Sequence, residues 1–227
     1  FLIRLNADGS IDTSFGPFGE GQRIDYACSI WTYVNDLAIA PNGDIVTVGN
    51  CFNNPTYDSF VAVYDADGQE QTHYNSDQND DIVGTNDRFK SVAVQGDGKI
   101  VAGGWGSADF VIARYNYLNL SDMELDNTFN TTGVASVNVS SNDRAWGLAI
   151  QPDGKLLLGG WGTSSYSTLM RFDKNGNLDT GFGSRGIVEL ASDHTRGIVM
   201  QPDGKVLFFG WTPDSDASLN RLEGNAV

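Results

Sequence analysis

Residues 148–161 read LAIQPDGKLLLGGW. A short apolar start, Leu148 to Gln151, meets a Pro-Asp-Gly turn whose glycine is free to take positive φ. An unbroken apolar run, Leu156 to Trp161, follows. That run is too short for a helix and has no polar face, so it reads as a strand buried on both sides. The same pattern starts at Leu37 (LAIAPNGDIVTVGN), Val92 (VAVQGDGKIVAGGW) and Ile198 (IVMQPDGKVLFFGW), and the turn glycines Gly43, Gly98, Gly154 and Gly204 are 55, 56 and 50 residues apart. A second element keeps step with it: FLIRLNADGSIDTSFG from Phe1, FVAVYDADGQ from Phe60, FVIARYNYLN from Phe110, TLMRFDKNGNLDTGFG from Thr168 and SLNRLEGN from Ser218. Two motifs held in register along the chain define an internal repeat.

Each repeat reads as four strands, a to d. In the third full copy they are Leu148–Gln151, Leu156–Trp161, Leu169–Phe172 and Ile187–Leu190. Four antiparallel strands every 50–56 residues, apolar inside and more polar outside, make a β-propeller blade. A helical solenoid of similar period needs apolar residues spaced at 3.6, which no repeat shows. Composition agrees with an all-β chain. Glycine reaches 27 residues with no three-residue period, and 24 of the 29 acids are Asp rather than Glu, which favours turns over helix.

The unit LAIQPDGKLLLGGW…LMRFDKNGNLDTGFGSRG resembles the delta-60 repeat, a bacterial β-propeller family whose blades are similar to those of NHL propellers. The resemblance runs from residue 1 to about 224 and implies secreted or surface proteins, with no activity attached. Two copies depart from it. The Phe60 copy continues as QEQTHYNSDQNDDIVG, and the Phe110 copy carries the insertion YNYLNLSDMELDNTFN, so irregular edges are expected on both blades. Strand counting gives four each of a, b and d but five of c. The chain opens with a c strand (Phe1 to Leu5) and a d strand (near Arg23 to Cys28). Three whole blades follow, Leu37 to Val83, Val92 to Val139 and Leu148 to Leu190, and then a, b and c strands from Ile198 to Leu222. The expectation is a single propeller domain over 1–227, with a partial blade at 1–30 and repeats starting near 37, 92, 148 and 198. About four to five blades are represented. Four closed blades would leave one c strand spare, so the chain is an open arc, a four-bladed ring with a spare strand, or an excerpt of a larger ring, and the last reading is favoured.

Fourteen basic residues against 29 acids give a net charge of −15, which repels nucleic-acid phosphates and excludes that class of partner. No run of 18 apolar residues exists, and the strongest stretch, VLFFGW (Val206 to Trp211), is too short to span a bilayer.

Candidate chemistry centres on one face. Trp105, Trp161 and Trp211 occupy the same place in three repeats, seven residues after the turn glycine, and Asn50 takes that place in the first. Just before strand a, equivalent positions hold Tyr33, Arg88, Arg144 and His194. The end of strand b and the start of strand a share one face of a propeller. Two readings stand for these residues: packing and solvated loops, or an aromatic and basic platform for glycans or carboxylates. The turns NADGSID, DADGQE and DKNGNLD lack the Glu that an EF-hand needs six residues after its Gly, so Asx-Gly hairpins explain them and no cofactor, calcium included, is called for. No G-x-S-x-G elbow is present, and His73 and His194 suggest no catalytic grouping. The leading expectation is a non-catalytic extracellular or cell-surface module that binds a glycan or another surface protein. The alternative is a calcium-dependent propeller hydrolase or lyase. Cys28 and Cys51 are the only cysteines; the even count, the oxidising compartment that the resemblance implies and the absence of a metal partner predict a Cys28–Cys51 disulfide.

Overall fold

The computed structural model describes residues 1–23, 31–53, 55–75, 82, 84, 86–119, 122–162, 166–190, 194–212, 214 and 216–223. The described chain is all β: four antiparallel sheets form the blades of a propeller, and a two-stranded sheet precedes them. That first sheet pairs β1 (Leu2–Ile3) with β2 (Gln22–Arg23). Blade I is β3 (Trp31–Ile39), β4 (Ile45–Phe52), β5 (Tyr57–Tyr64) and β6 (Glu70–Asn75). Blade II is β7 (Arg88–Val94), β8 (Ile100–Gly106) and β9 (Asp109–Asn119), with both β10 (Asp122–Leu125) and β11 (Val134–Val137) paired to β9. Blade III is β12 (Arg144–Ile150), β13 (Leu156–Trp161), β14 (Ser167–Phe172) and β15 (Ile187–Leu190). Blade IV has three strands, β16 (His194–Met200), β17 (Val206–Trp211) and β18 (Ala217–Leu222).

Strand b of each blade lies where the apolar run predicts it, but strand a starts several residues earlier. The reason is a β-bulge that interrupts its alternation in every blade, at Asn35, Lys90, Trp146 and Arg196. Opposite each bulge stands a glycine, and at Gly160 a Cβ would collide with the carbonyl oxygen of Arg144. The expected irregular edges are partly regular. The segment after Gly68 includes strand β6, so His73 sits in a strand, with Nδ1 2.8 Å from Glu70 Oε1. The insertion in the Phe110 copy extends β9 into a hairpin with β10. The expected blade end at Val83 and the cysteine at position 28 lie outside the described residues.

Blades pack face to face through apolar layers. Val46, Val48, Val61 and Val63 of blade I meet Val92, Ile100, Ala102 and Val111 of blade II. Leu148, Leu156 and Leu158 of blade III meet Val101 and Ile112 of blade II. The second repeat element adds a clamp that joins neighbours. Arg114 Nε donates to Asp126 at 2.7 Å, its guanidinium lies 4.7 Å from the Phe129 ring, and its Nη1 donates to the Lys174 carbonyl of blade III. Phe129 is fully buried and packs against Gly176, in the turn that follows β14 of blade III. Arg4, Asp12 and Phe15 repeat this arrangement against Gly68 of blade I, and Arg171, Asp179 and Phe182 repeat its first half. The Asp-rich turns that look like calcium loops are hairpins; Asp173 Oδ1 accepts from the backbone N–H groups of Asn175 and Asn177.

Both ends of the blade series keep apolar faces uncovered. Leu37 is 50% exposed, whereas its equivalents Val92, Leu148 and Ile198 are at most 8% exposed against the preceding blade. On the far side of blade IV, Val199 is 52% and Leu219 71% exposed, while Ala149, equivalent to Val199, is 9%. The c-strand place in blade IV is filled by β18, and β1 pairs with β2 in a separate sheet.

Candidate anion-binding face

Register brings the predicted face together. Arg88 lies directly across from Trp105, Arg144 from Trp161, His194 from Trp211 and Tyr33 from Asn50. Exposure rises along the series, from buried Trp105 through half-buried Trp161 to exposed Trp211. The basic residues do not sit in loops before strand a; they are its first residues, or in Tyr33 its third, because the bulge lengthens the strand.

Cations and rings alternate across the blades. The Arg88 guanidinium lies 3.7 Å from the Tyr57 ring and 5.8 Å from that of Trp105. Arg144 lies between Trp105 at 5.1 Å and Trp161 at 5.9 Å, and His194 between Trp161 at 4.8 Å and Trp211 at 6.0 Å. The bulge residues add a second tier. Lys90 Nζ stands 5.3 Å from Trp105 and 5.4 Å from Trp146, and Arg196 is 3.9 Å from both Trp146 and Trp211. Lys90, Trp146, Arg196 and Asn35 were not legible as site residues, because a bulge leaves no mark on apolar periodicity. The signal that could have found them is the glycine opposite each, which recurs at 49, 104, 160 and 210.

None of Arg88, Lys90, Arg144 and Arg196 forms an ion pair among the described residues. Burial lowers the Lys90 pKa to about 8, helped by the charges of Arg88, Arg144 and Arg196. Burial also lowers Arg88 and Arg196, each with Arg144 adding repulsion. The indole N–H groups of Trp146 and Trp161 and the Nε–H groups of Arg88 and Arg196 are buried without a hydrogen-bond partner among the described residues. Unpaired buried donors are rare in folded proteins. Two cavities open on this face and share Arg88: one of about 380 Å³ beside Trp105 and Arg144, one of about 230 Å³ beside Asn35, Asn50, Tyr57 and Lys90. Chemically the face offers flat apolar rings edged by fixed positive charge, which suits a ligand that combines ring surface with carboxylate or sulfate groups.

A family profile described as "domain of unknown function (DUF5122) beta-propeller" matches residues 1–15, 95–117 and 151–182. These segments are delta-60-type propeller repeats. They hold the turn glycines Gly98 and Gly154, the bridging Arg4, Arg114 and Arg171, and Trp105 and Trp161 of the face. No curated protein matches the chain in sequence. In three dimensions the chain is similar to a gluconolactonase from Xanthomonas campestris, at 13% identity and TM-score 0.54, covering 90% of this chain and 60% of that one. It is also similar to a protein of unknown function from Bacteroides caccae, at 9% identity and TM-score 0.53, covering 98% and 70%. A protein from Lactobacillus plantarum, at 11% identity and TM-score 0.51, covers 84% and 55%. The chain thus spans about 55–70% of the length of these structures. Identities this low speak for the fold alone.

Proposed function

We propose that the protein is a non-catalytic binding module, acting outside the cell or at its surface, whose Trp/Arg face takes an acidic glycan. One observation carries this reading: four cations interleaved with tryptophans have no carboxylate partner among the described residues, in a chain of net charge −15. Sugar rings stack on indole faces, and uronate or sulfate groups would neutralise the arginines between them. A solution titration tests it. Oligogalacturonate should quench tryptophan fluorescence in a salt-dependent manner, and a neutral malto-oligosaccharide of equal length should not. Arg144→Ala and Trp161→Ala should each abolish the quenching while unfolding remains cooperative. Equal binding of the neutral oligosaccharide refutes the reading.

The second reading, a calcium-dependent hydrolase or lyase, draws on the gluconolactonase similarity in fold. It needs a carboxylate-rich metal cluster, and among the described residues no three His, Cys, Asp or Glu side chains are grouped to hold a metal. It predicts a large drop in melting temperature on adding EDTA, since a ligand bound only to the native state stabilises it. The binding reading predicts no change.

A further inference from the structure

The 230 Å³ cavity contains a lysine whose surroundings differ from those of the others. Of the five lysines, Lys99, Lys155 and Lys205 pair with carboxylates. Lys90 instead sits on the β7 bulge, with Nζ 3.0 Å from Asn35 Oδ1 and 3.3 Å from Asn50 Oδ1. Asn35 is itself fixed, because its Nδ2 donates to the Phe89 carbonyl at 2.7 Å and to Asn50 Oδ1 at 3.0 Å. The amine is therefore held by two neutral acceptors at the wall of a cavity that Tyr33, Tyr57 and Arg88 complete. Among the described residues the charged groups that act on it are cations: Arg88 on its own strand, Arg144 from blade III and Arg196 from blade IV.

We propose that Lys90 is a carbonyl-binding lysine that forms a reversible imine with a 2-oxo acid, whose carboxylate is held by Arg88. In this step the Nζ lone pair attacks the carbonyl carbon, and the π pair moves to oxygen. A proton passes from nitrogen to that oxygen, and the carbinolamine then loses water to give the imine, so no oxidant or reductant is consumed. Only the neutral amine attacks. Burial among like charges is the general way to supply it near neutral pH, and with a pKa of about 8 roughly a tenth of Lys90 is neutral at pH 7. Selection of a carboxylate-bearing carbonyl compound rests on the anion-binding reading of the face, whereas the amine chemistry does not.

The test is reductive trapping of the full chain at pH 7 with cyanoborohydride, using pyruvate in one arm and neutral propionaldehyde in the other, followed by peptide mapping. Both reagents should modify Lys90 on the order of tenfold faster than Lys99, Lys155, Lys174 or Lys205, with pyruvate preferred at equal concentration. Lys90→Met should lose the fast adduct; the mapping of the unsubstituted chain stands as the test where that variant fails to fold. Labelling spread evenly over the five lysines overturns the proposal and leaves the oligogalacturonate titration unaffected. Fast labelling of Lys90 by propionaldehyde with no preference for Lys90 in the pyruvate arm overturns the 2-oxo acid, and the anionic reading of the face then stands or falls on the oligogalacturonate titration.

Discussion

The Arg–Asp clamp recurs in three repeats at three depths, so one substitution made three times should give three different losses. Asp126 is the deepest, its side chain 2% exposed. It accepts from Lys99 Nζ at 2.6 Å, Arg114 Nε at 2.7 Å and Thr128 Oγ1 at 2.6 Å. Burial by itself works against the carboxylate, but the hydrogen bonds from Lys99 and Thr128 and the charge of Arg114 outweigh it and hold its pKa well below the usual range. Asp126→Asn keeps the shape but leaves a buried Arg114 without its counterion, a loss of about 3–5 kcal/mol. Asp179, 18% exposed, makes the same contact with Arg171 at 2.9 Å, so Asp179→Asn should cost about 1 kcal/mol. Asp12, 22% exposed, should show the smallest shift. Urea unfolding followed by tryptophan fluorescence reads this as a midpoint lowered on the order of 1–2 M for Asp126→Asn. Acid adds a sign. Because the folded pKa of Asp126 lies below its unfolded value, its contribution is complete above about pH 4 and is lost as pH falls through the folded pKa. The gap between wild type and Asp126→Asn should therefore narrow at low pH. Equal shifts for all three variants, or the largest for Asp12→Asn, would refute the dependence on burial.

Intact-mass measurement of protein isolated without reductant should find no alkylatable thiol, as a Cys28–Cys51 bridge predicts. It would close a loop of 23 residues and contribute roughly 3 kcal/mol. Cys51 is fully buried within β4 and is not a free thiol, while residue 28 lies outside the described chain. The uncovered end faces predict that a chain of these 227 residues binds a hydrophobic dye, and that Leu219→Lys lowers this binding without lowering the melting temperature. A drop of many degrees would mean that Leu219 is packed.

What the sequence made legible follows from how each signal is encoded. Burial on both faces writes itself as an unbroken apolar run, so strand b of blade III was placed to the residue, Leu156–Trp161. Turn glycines and the fixed offset to the tryptophans put Arg144 and Trp161 on one face, and the strand register adds that they lie directly across from each other. Strand a was cut short for an equally physical reason. The bulges at Lys90 and Trp146 shift the alternation by one residue, and a period-2 reading stops there. The lost residues are the inner tier of the face. The β9–β10 hairpin was hidden as well, since β10 is only four residues long and offers just Met123 and Leu125, opposite Tyr117 and Tyr115, as an apolar signal.

A basic side chain in this protein has no shortage of acids to meet, and seven of the 14 do meet one: Arg4, Arg23, Lys99, Arg114, Lys155, Arg171 and Lys205. Among the described residues Arg88, Lys90, Arg144 and Arg196 do not, although Asp36 lies on the neighbouring blade's strand β3; its Oδ2 accepts instead from Ser91 Oγ at 3.1 Å and the Val92 N–H at 2.9 Å. Concentrating four cations where like charges surround Lys90 costs stability, and packing alone gives no reason for it. A hydrophobic residue at the bulge would stack on the same rings without the repulsion, as Trp146 does at the Lys90 position of the next blade. Local arrangements that oppose stability while the surrounding fold stays regular mark the places where a protein meets something else. Here the missing component is negative charge, and a ligand that supplied it would bind most strongly below about pH 8, where Lys90 is still protonated.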